Sequence, residues 1–510
     1  MSPPSGVDAI VIGAGPNGLV AANLLADAGW DVLVLEATDH PGGAVHSDES
    51  VHAGFITDLF SSFYPLGVAS PILQSLQLGE YGLSWTHSPT VLAHIWPDDR
   101  SATISRNRNR TAASIDAFAA GDGRAWLRLV EQFERISEPL LDSLFTPFPP
   151  IRSAAKLARK MGLADLLRFA RFGVTPVRRF GEEHFTGEAG PLLIAGNALH
   201  ADLGPEGAGS ALYGWLLAML AQTVGFPVPV GGSSQITAAL TTRLAARGGV
   251  LRVNAEVTSI DIAGGAATGV RLADGDRIAA RRAVLADVSA PALYADLIGL
   301  RHLPDRAAED LARFQWDAAT FKLNWALSAP IPWTATDAHG AGTVHLGVDM
   351  NGLTTYAASL AKRETPEAPF LLLGQMTTSD PSRSLAGTES AWTYTHLPEG
   401  LRLSPDDVQR EADLIESVVE RHAPGFSDRI VARSVQAPLD LETADANLRG
   451  GAVSGGTAGI HQQLIFRPLP GLGRAETPID RLYLASAAAH PGGGVHGGPG
   501  SNAARAALSR

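Results

Sequence analysis

Apolar positions along this chain alternate between two patterns. Asp8-Ala9-Ile10-Val11-Ile12 is a short β-branched run without polar alternation, which predicts a strand buried on both faces. From Leu19 to Ala28 the apolar residues fall at helical spacing and stop at Gly29, and Asp31 to Leu35 returns to a continuous apolar run. A strand–helix–strand unit is therefore predicted at the start. Near the other end, Leu482-Tyr483-Leu484-Ala485 reads as another buried strand, with a last helix from about Ser501. Between these ends, a helix runs to Ala246 after Val230-Gly231-Gly232-Ser233-Ser234-Gln235, a strand covers Val250 to Val257, and Asp274-Gly275 marks a hairpin turn in the meander beyond. Leu127–Leu144 and Leu157–Phe172 show apolar faces of period 3.6, whereas Ser210–Val224 is apolar nearly all round, as in a buried helix or tunnel wall. Phe321–Leu327 and Phe370–Gln375 predict strands, and Asp406–His422 predicts a helix.

The turn after the first strand carries chemistry. In Gly13-Ala14-Gly15-Pro16-Asn17-Gly18, Gly13 makes the tight turn, Gly15 admits a pyrophosphate close to backbone, and Gly18 lets helix pack on strand. The helix start, through Pro16 and Asn17, faces the negative charge. Glu36, with Ala37 after it, ends the second strand where a carboxylate can bond a ribose hydroxyl pair. This fingerprint serves NAD and FAD alike. Gly42, Gly43 and Ala44 follow, and then the short strand from Gly54 to Asp58, where a longer cofactor could run over bare backbone. At the far end, Ser486 to Gly500 holds a run of glycines that includes Gly493 and Gly494, beside Val495. A chain with so few Cβ atoms can lie flat on a planar ring, and a helix start aimed at that ring favours the charge of a reduced flavin.

Composition narrows the class. With 510 residues, 45% hydrophobic and 18% charged, the chain reads as globular. A net charge of −12 argues against nucleic-acid binding. The absence of cysteine excludes disulfides, thiolate metal sites and a dithiol redox centre, so redox chemistry needs a bound cofactor. No histidine–carboxylate spacing suggests a metal site. The N-terminal residues Met1 to Gly6 lack a basic signal-peptide region and no long apolar span follows, so a cytoplasmic location is expected.

These motifs, with Phe466-Arg467-Pro468-Leu469-Pro470-Gly471 and His490-Pro491-Gly492-Gly493-Gly494-Val495, resemble the phytoene-desaturase-like FAD-dependent oxidoreductases, nearest to the pyridine nucleotide-disulfide oxidoreductase domain-containing protein 2 type. The resemblance implies an α/β fold: a Rossmann-like FAD domain of the glutathione-reductase or amine-oxidase kind with a discontinuous α+β substrate domain. Residues 1–80, 225–287 and 453–510 would form the first domain, and 81–224 and 288–452 the second. It also implies FAD as cofactor, the Val257 backbone beside adenine, and Asp58, Ser61, Ser62 and Tyr64 near the flavin. Two departures stand out. Ala44 replaces an arginine common in relatives, and no acid follows the last strand, which leaves backbone groups to hold the flavin.

The expected reaction is dehydrogenation of a carbon–carbon bond in a small hydrophobic substrate, isoprenoid or carotenoid-like, with oxygen or a quinone as final electron acceptor. His490, His496 and Tyr64 are the candidate catalytic side chains; His461 and Gln463 could face the same cavity. Alternatives are a flavin amine oxidase, for which no aromatic pair is assignable, an ene-reductase, a redox-neutral isomerase, and a prenyl-binding escort protein of the kind that Rab GDP-dissociation inhibitors represent. The basic segment 156–179, from Lys156 to Arg179, reads either as a solvated helix face or as a peripheral membrane contact.

Overall fold

The computed structural model describes residues 6–510, so expectations on Met1–Ser5 and on the Leu163 side chain lie outside the described residues. Two seven-stranded sheets organise the chain. In the first, Gly6–Ile12 lies between Val32–Leu35 and Arg277–Ala286 and runs parallel to both. Ala9, Ile10 and Val11 are wholly buried because helices and loops cover both faces of that strand. Val250–Arg252 extends this sheet beside Val32–Leu35, Leu482–Leu484 joins parallel to Arg277–Ala286, and Val257–Ala263 with Ala266–Leu272 adds an antiparallel meander. Helix Pro16–Asp27 and the last helix, Gly498–Leu508, share one face through Leu19, Val20, Ala503 and Ala504.

The opposite face moves a domain boundary. Leu293, Tyr294, Ile298 and Leu311 pack with Ile10 and Leu35 of the first sheet. Residues 288–311, which the sequence places in the substrate domain, therefore belong by packing to the first sheet. The strands of the second sheet come from both insertions, in the order Ile430–Gln436, Ala319–Leu327, Glu389–Leu397, Leu371–Gln375, Ala341–Leu346, Thr90–Ile95 and Ser101–Ile104. Helix Pro405–His422 covers one side of it, while Ala189–Ala198 and Ser210–Thr223 cover the other.

Other expectations shift locally. The strand expected over Val250–Val257 is two strands, because the chain crosses the end of Val32–Leu35: Asn254 N donates to Thr38 O and Ala255 N to Glu36 O, both at 2.8 Å. The helix expected over Leu157–Phe172 is Ile151–Met161 and Leu163–Phe172, broken where Gly162 takes φ +79°. In the basic segment, Lys160 pairs with Glu138, Arg168 with Asp165, Arg171 and Arg179 with Glu183, and Arg178 with Glu206. The segment's positive charge is thus largely matched by acids on the same helix, on a neighbouring helix or in the turn at Glu206. No helix among the described residues is long and apolar enough to cross a membrane.

A buried charge cluster joins the two-stranded Ser47–His52/Phe55–Asp58 sheet to the turn that follows strand Leu371–Gln375. Arg383, wholly buried, lies 3.0 Å from Asp58 Oδ2 and 3.1 Å from Asp380 Oδ2. Asp58 also accepts from Ser233 N and Asp380 from Gly231 N, each at 2.8 Å, which ties strand Phe55–Asp58, the 231–233 turn and the turn after Leu371–Gln375 together. Removing the cation leaves two acids buried without their partner, which typically costs about 3–5 kcal/mol. Arg383→Met is expected to lower the urea unfolding midpoint accordingly, whereas Lys362→Met, a surface cation paired only with Glu364, should leave it within error.

Candidate cofactor and substrate site

The glycine turn forms because the first strand ends against two neighbours. Gly13 N donates to Leu35 O at 2.8 Å with φ +91°, and a methyl on Gly18 would collide with the Gly13 carbonyl. Glu36 Oε2 accepts from Ala14 N at 2.8 Å, and its Oε1 accepts from Thr38 at 3.0 Å. Ala37 beyond it is exposed, and the Ala255–Glu36 bond carries Val257 past this strand end. Gly42 N donates to Ala14 O at 3.0 Å, and Gly43 lies against Gly15. Ala44 O accepts from Ser61 Oγ at 2.9 Å, which ties the glycine pair to the Ser61–Ser62 turn.

The C-terminal glycine run comes to the same place. Ser486 Oγ caps the turn by accepting from Ala488 N at 3.2 Å. Gly493 packs on the backbone of Ser454, the Val495 carbonyl sits against Gly67, and a methyl on Gly500 would collide with the Asn17 carbonyl, so two helix starts meet there. Four buried polar atoms around this junction, Asn17 Oδ1, Ser62 Oγ, Ser501 Oγ and Asn502 Oδ1, have no protein partner. Converging helix starts, bare backbone and unpaired polar atoms suit an anionic, extended cofactor.

The three candidate catalytic side chains differ in what they have free. His496 accepts from Gly498 N through Nδ1 at 3.0 Å, directs Nε2 at Gly493 O at 3.3 Å, and packs on Phe145. Both of its ring nitrogens are engaged by backbone. The Tyr64 hydroxyl is taken up by Ser61, donating to its carbonyl at 2.8 Å, and burial raises its pKa far above the ordinary phenol value. His490 keeps a buried Nε2 without a partner, and burial holds its ring at about 4. His461 is exposed and pairs with Gln315, while Gln463 is buried and donates to the Thr457 carbonyl.

Sequence reasoning missed three acidic or basic groups here. Asp287, at the carboxyl end of Arg277–Ala286, accepts from Gly18 N at 2.7 Å and lies over Gly15. Burial pushes its pKa up to about 8; the Gly18 N–H works against that, and the Asp445 and Glu36 carboxylates add to it. Its signal was an acid directly after the buried run Ala283–Ala286, the placement that identified Glu36. Asp445 closes on Gly43 from a loop far away in sequence. Lys322, buried in the second sheet, donates Nζ to the Asp58 carbonyl and faces the Trp392 ring, and burial lowers it to about 7.

Beyond Ser62 lies a packed cluster of aromatic rings. Phe63 lies 5.9 Å from Trp392 and 6.3 Å from Phe226, centroid to centroid. Trp392 stacks within 20° of Tyr394 at 5.9 Å, and Tyr394 meets His396 edge-on at 5.4 Å. Phe226 leads on to His200 at 6.3 Å. The Trp392–Tyr394 stack is an aromatic pair that the sequence did not reveal, because its alternation on Glu389–Leu397 reads only as a buried strand.

A dinucleotide turn, a glycine run and a cluster of aromatic rings beside a second sheet point to a flavin-dependent oxidoreductase. The family profile of flavin-containing amine oxidoreductases matches residues 17–391, and this chain belongs to that family. It is 27% identical over 98% of its length to mouse (Mus musculus) pyridine nucleotide-disulfide oxidoreductase domain-containing protein 2, covering 92% of that protein. It is 24% identical over 96% of its length to the neurosporene-forming phytoene desaturase of Rhodobacter capsulatus, covering 91% of it. A solved oxidoreductase from Methanosarcina mazei shares the fold, with TM-score 0.63 and 16% identity over 98% of this chain and 100% of that one. The cofactor is FAD, and the chain is an enzyme of the phytoene-desaturase-like group.

Two outcomes are expected. Asp287 keeps its proton in the folded chain up to about 8 but loses it near the ordinary carboxyl value of 3.8 once unfolded. The folded state then binds more protons between those limits, so its stability falls as pH rises through them. Asp287→Asn should flatten that part of the apoprotein's pH–stability profile, measured by urea unfolding. Glu36→Gln should weaken FAD binding about ten-fold or more in a fluorescence titration, through loss of charge-assisted hydrogen bonding.

Proposed function

We propose that this enzyme dehydrogenates a carbon–carbon bond of a hydrophobic substrate. The cluster of aromatic rings of Phe63, Phe226, Trp392 and Tyr394, which follows directly on Ser61–Ser62, is the observation that carries this reading. Relatives named as phytoene desaturases support an isoprenoid or carotenoid-like skeleton.

In this reading Gly13, Gly15, Pro16, Asn17 and Gly18 hold the pyrophosphate of FAD. Glu36 and Ala37 hold its ribose, and the Val257 backbone meets adenine. Gly42, Gly43, Ala44, Ser61, Ser62, Ser486, Gly493, Gly494 and Val495 surround its flavin end. FAD, when bound, supplies a two-electron acceptor for hydride. The chain's own work is to orient the substrate between the glycine run and the rings and to exclude water. His490, with its free Nε2, is the side chain available to take a proton; His496 and Tyr64 position the loops that carry them. Oxygen or a quinone then reoxidises the enzyme.

Amine oxidation is the second reading, favoured by the near-parallel Trp392–Tyr394 pair, which could flank a substrate nitrogen. An absorbance spectrum followed by anaerobic titration with isoprenoids, saturated ketones and amines separates the two. Bleaching of the flavin band by a compound without nitrogen is the expected result. Bleaching by amines alone would replace this reading with the second one.

A further inference from the structure

The glycine turn has few donors left to offer an anion. Gly13 N already donates to Leu35 O at 2.8 Å, Ala14 N to Glu36 Oε2 at 2.8 Å and Gly18 N to Asp287 Oδ2 at 2.7 Å. Pro16 has no N–H. Within Gly13–Gly18 this leaves Gly15 N and Asn17 N without a partner among the described residues. The Asp287 carboxyl stands over the same stretch, its Oδ2 2.7 Å from where a methyl on Gly15 would sit and 3.0 Å from one on Gly18.

Asp287 is fixed there from two sides. Its N donates to Ile12 O at 2.7 Å, and its carbonyl accepts from Asn447 Nδ2 at 3.2 Å. Asn447 also donates its N to Asp445 Oδ1 at 2.9 Å, which brings a second carboxyl to the turn, with Oδ2 3.2 Å from a methyl position on Gly43. The charged groups that face Asp287 are thus Asp445 and Glu36, both acids, and no described cation is paired with it.

The two oxygens of Asp287 differ. Oδ2 takes the Gly18 N–H, whereas Oδ1 makes no hydrogen bond and is not sealed. As a carboxylate, Asp287 would turn a bare negative oxygen on an arriving anion. As a neutral acid it keeps Oδ2 as an acceptor and gains an O–H donor on Oδ1. Burial, opposed by the Gly18 N–H and aided by the Asp445 and Glu36 carboxylates, favours the neutral form up to about 8.

We infer that Asp287 binds the cofactor as a neutral acid: Oδ2 accepts from Gly18 N while Oδ1–H donates to the anion that meets Gly15 and Asn17, so that FAD and a proton are held together. This rests on the glycine turn holding the FAD pyrophosphate, as proposed above. Where the apoprotein has lost that proton, binding must take it back from solvent, so FAD affinity falls as pH rises above about 8 and is level well below it.

The test is FAD titration of the apoprotein, followed by flavin fluorescence, with calorimetry in two buffers of different ionisation heat to count protons. Wild-type affinity should fall about ten-fold between about pH 7 and about pH 9, with proton uptake on binding. Asp287→Asn keeps an acceptor for Gly18 N and a donor that does not ionise. It should bind FAD as the wild type does at the lower pH, hold that affinity at the higher one and take up no proton. A carboxylate that merely props the turn would leave the same slope in both proteins. A wild-type affinity that does not fall, or a fall that survives Asp287→Asn, overturns the inference. Should that variant not fold, Asp445→Asn carries the test: losing a neighbouring negative charge lets Asp287 ionise sooner, so the fall should move to lower pH, and an unmoved fall overturns the inference. ADP-ribose, with a doubly esterified pyrophosphate and no flavin, separates the two readings. If it competes with FAD at an affinity that ignores pH, this inference alone is removed; if it does not compete, the placement of the pyrophosphate is removed.

Discussion

Two helix starts press together at Gly500 and Asn17, with no side chain between them. A methyl at Gly500 would enter the Asn17 backbone, and Gly497 packs on Val20 in the same way. The helices Pro16–Asp27 and Gly498–Leu508 are the first and last helices among the described residues, and this contact joins them on one face of the first sheet. It also brings together two sets of first-turn N–H groups, the positive ends of two peptide dipoles. The rest of the site follows from that convergence. The glycine run from Gly492 to Gly494 leads into the second helix start, and the Gly42–Gly43 pair reaches the first.

The positive ends face three acids. Glu36 takes Ala14 N, Asp287 takes Gly18 N, and Asp445 stands over Gly43. An anionic cofactor meeting three full negative charges would be repelled, yet burial raises both Asp287 and Asp445, which lets a proton reduce that repulsion. The turn is therefore tuned by proton occupancy as well as by backbone geometry. Glu36 is held at the strand end, its two oxygens accepting from Ala14 and Thr38.

How much of this was legible depended on how local each feature is. The turn, Glu36 and the buried strands are consecutive residues whose spacing carries the physics, so they could be read directly. The breaks at Gly162 and Asn254 were not, since apolar spacing continues across them and only the backbone geometry interrupts it. The boundary at 288–311 was missed for a related reason: strand Arg277–Ala286 ends where a domain could end, and the packing of Leu293 and Tyr294 back onto the same sheet is tertiary. The aromatic cluster was the least readable part. Phe63, Phe226, Trp392 and His200 come from four separate segments, and each one alone looks like ordinary core.

The histidine choice has the same origin. A histidine between glycines near a cofactor suggests catalysis by its neighbourhood in sequence, but His496 gives both nitrogens to the turn that it stabilises. His490, by contrast, keeps a buried Nε2 that no protein group meets. Side chains that hold a loop in place are saturated by it, and those able to meet a ligand are the ones that the fold leaves unsatisfied. By that criterion the first sheet and its glycines are the part of the fold arranged around a cofactor.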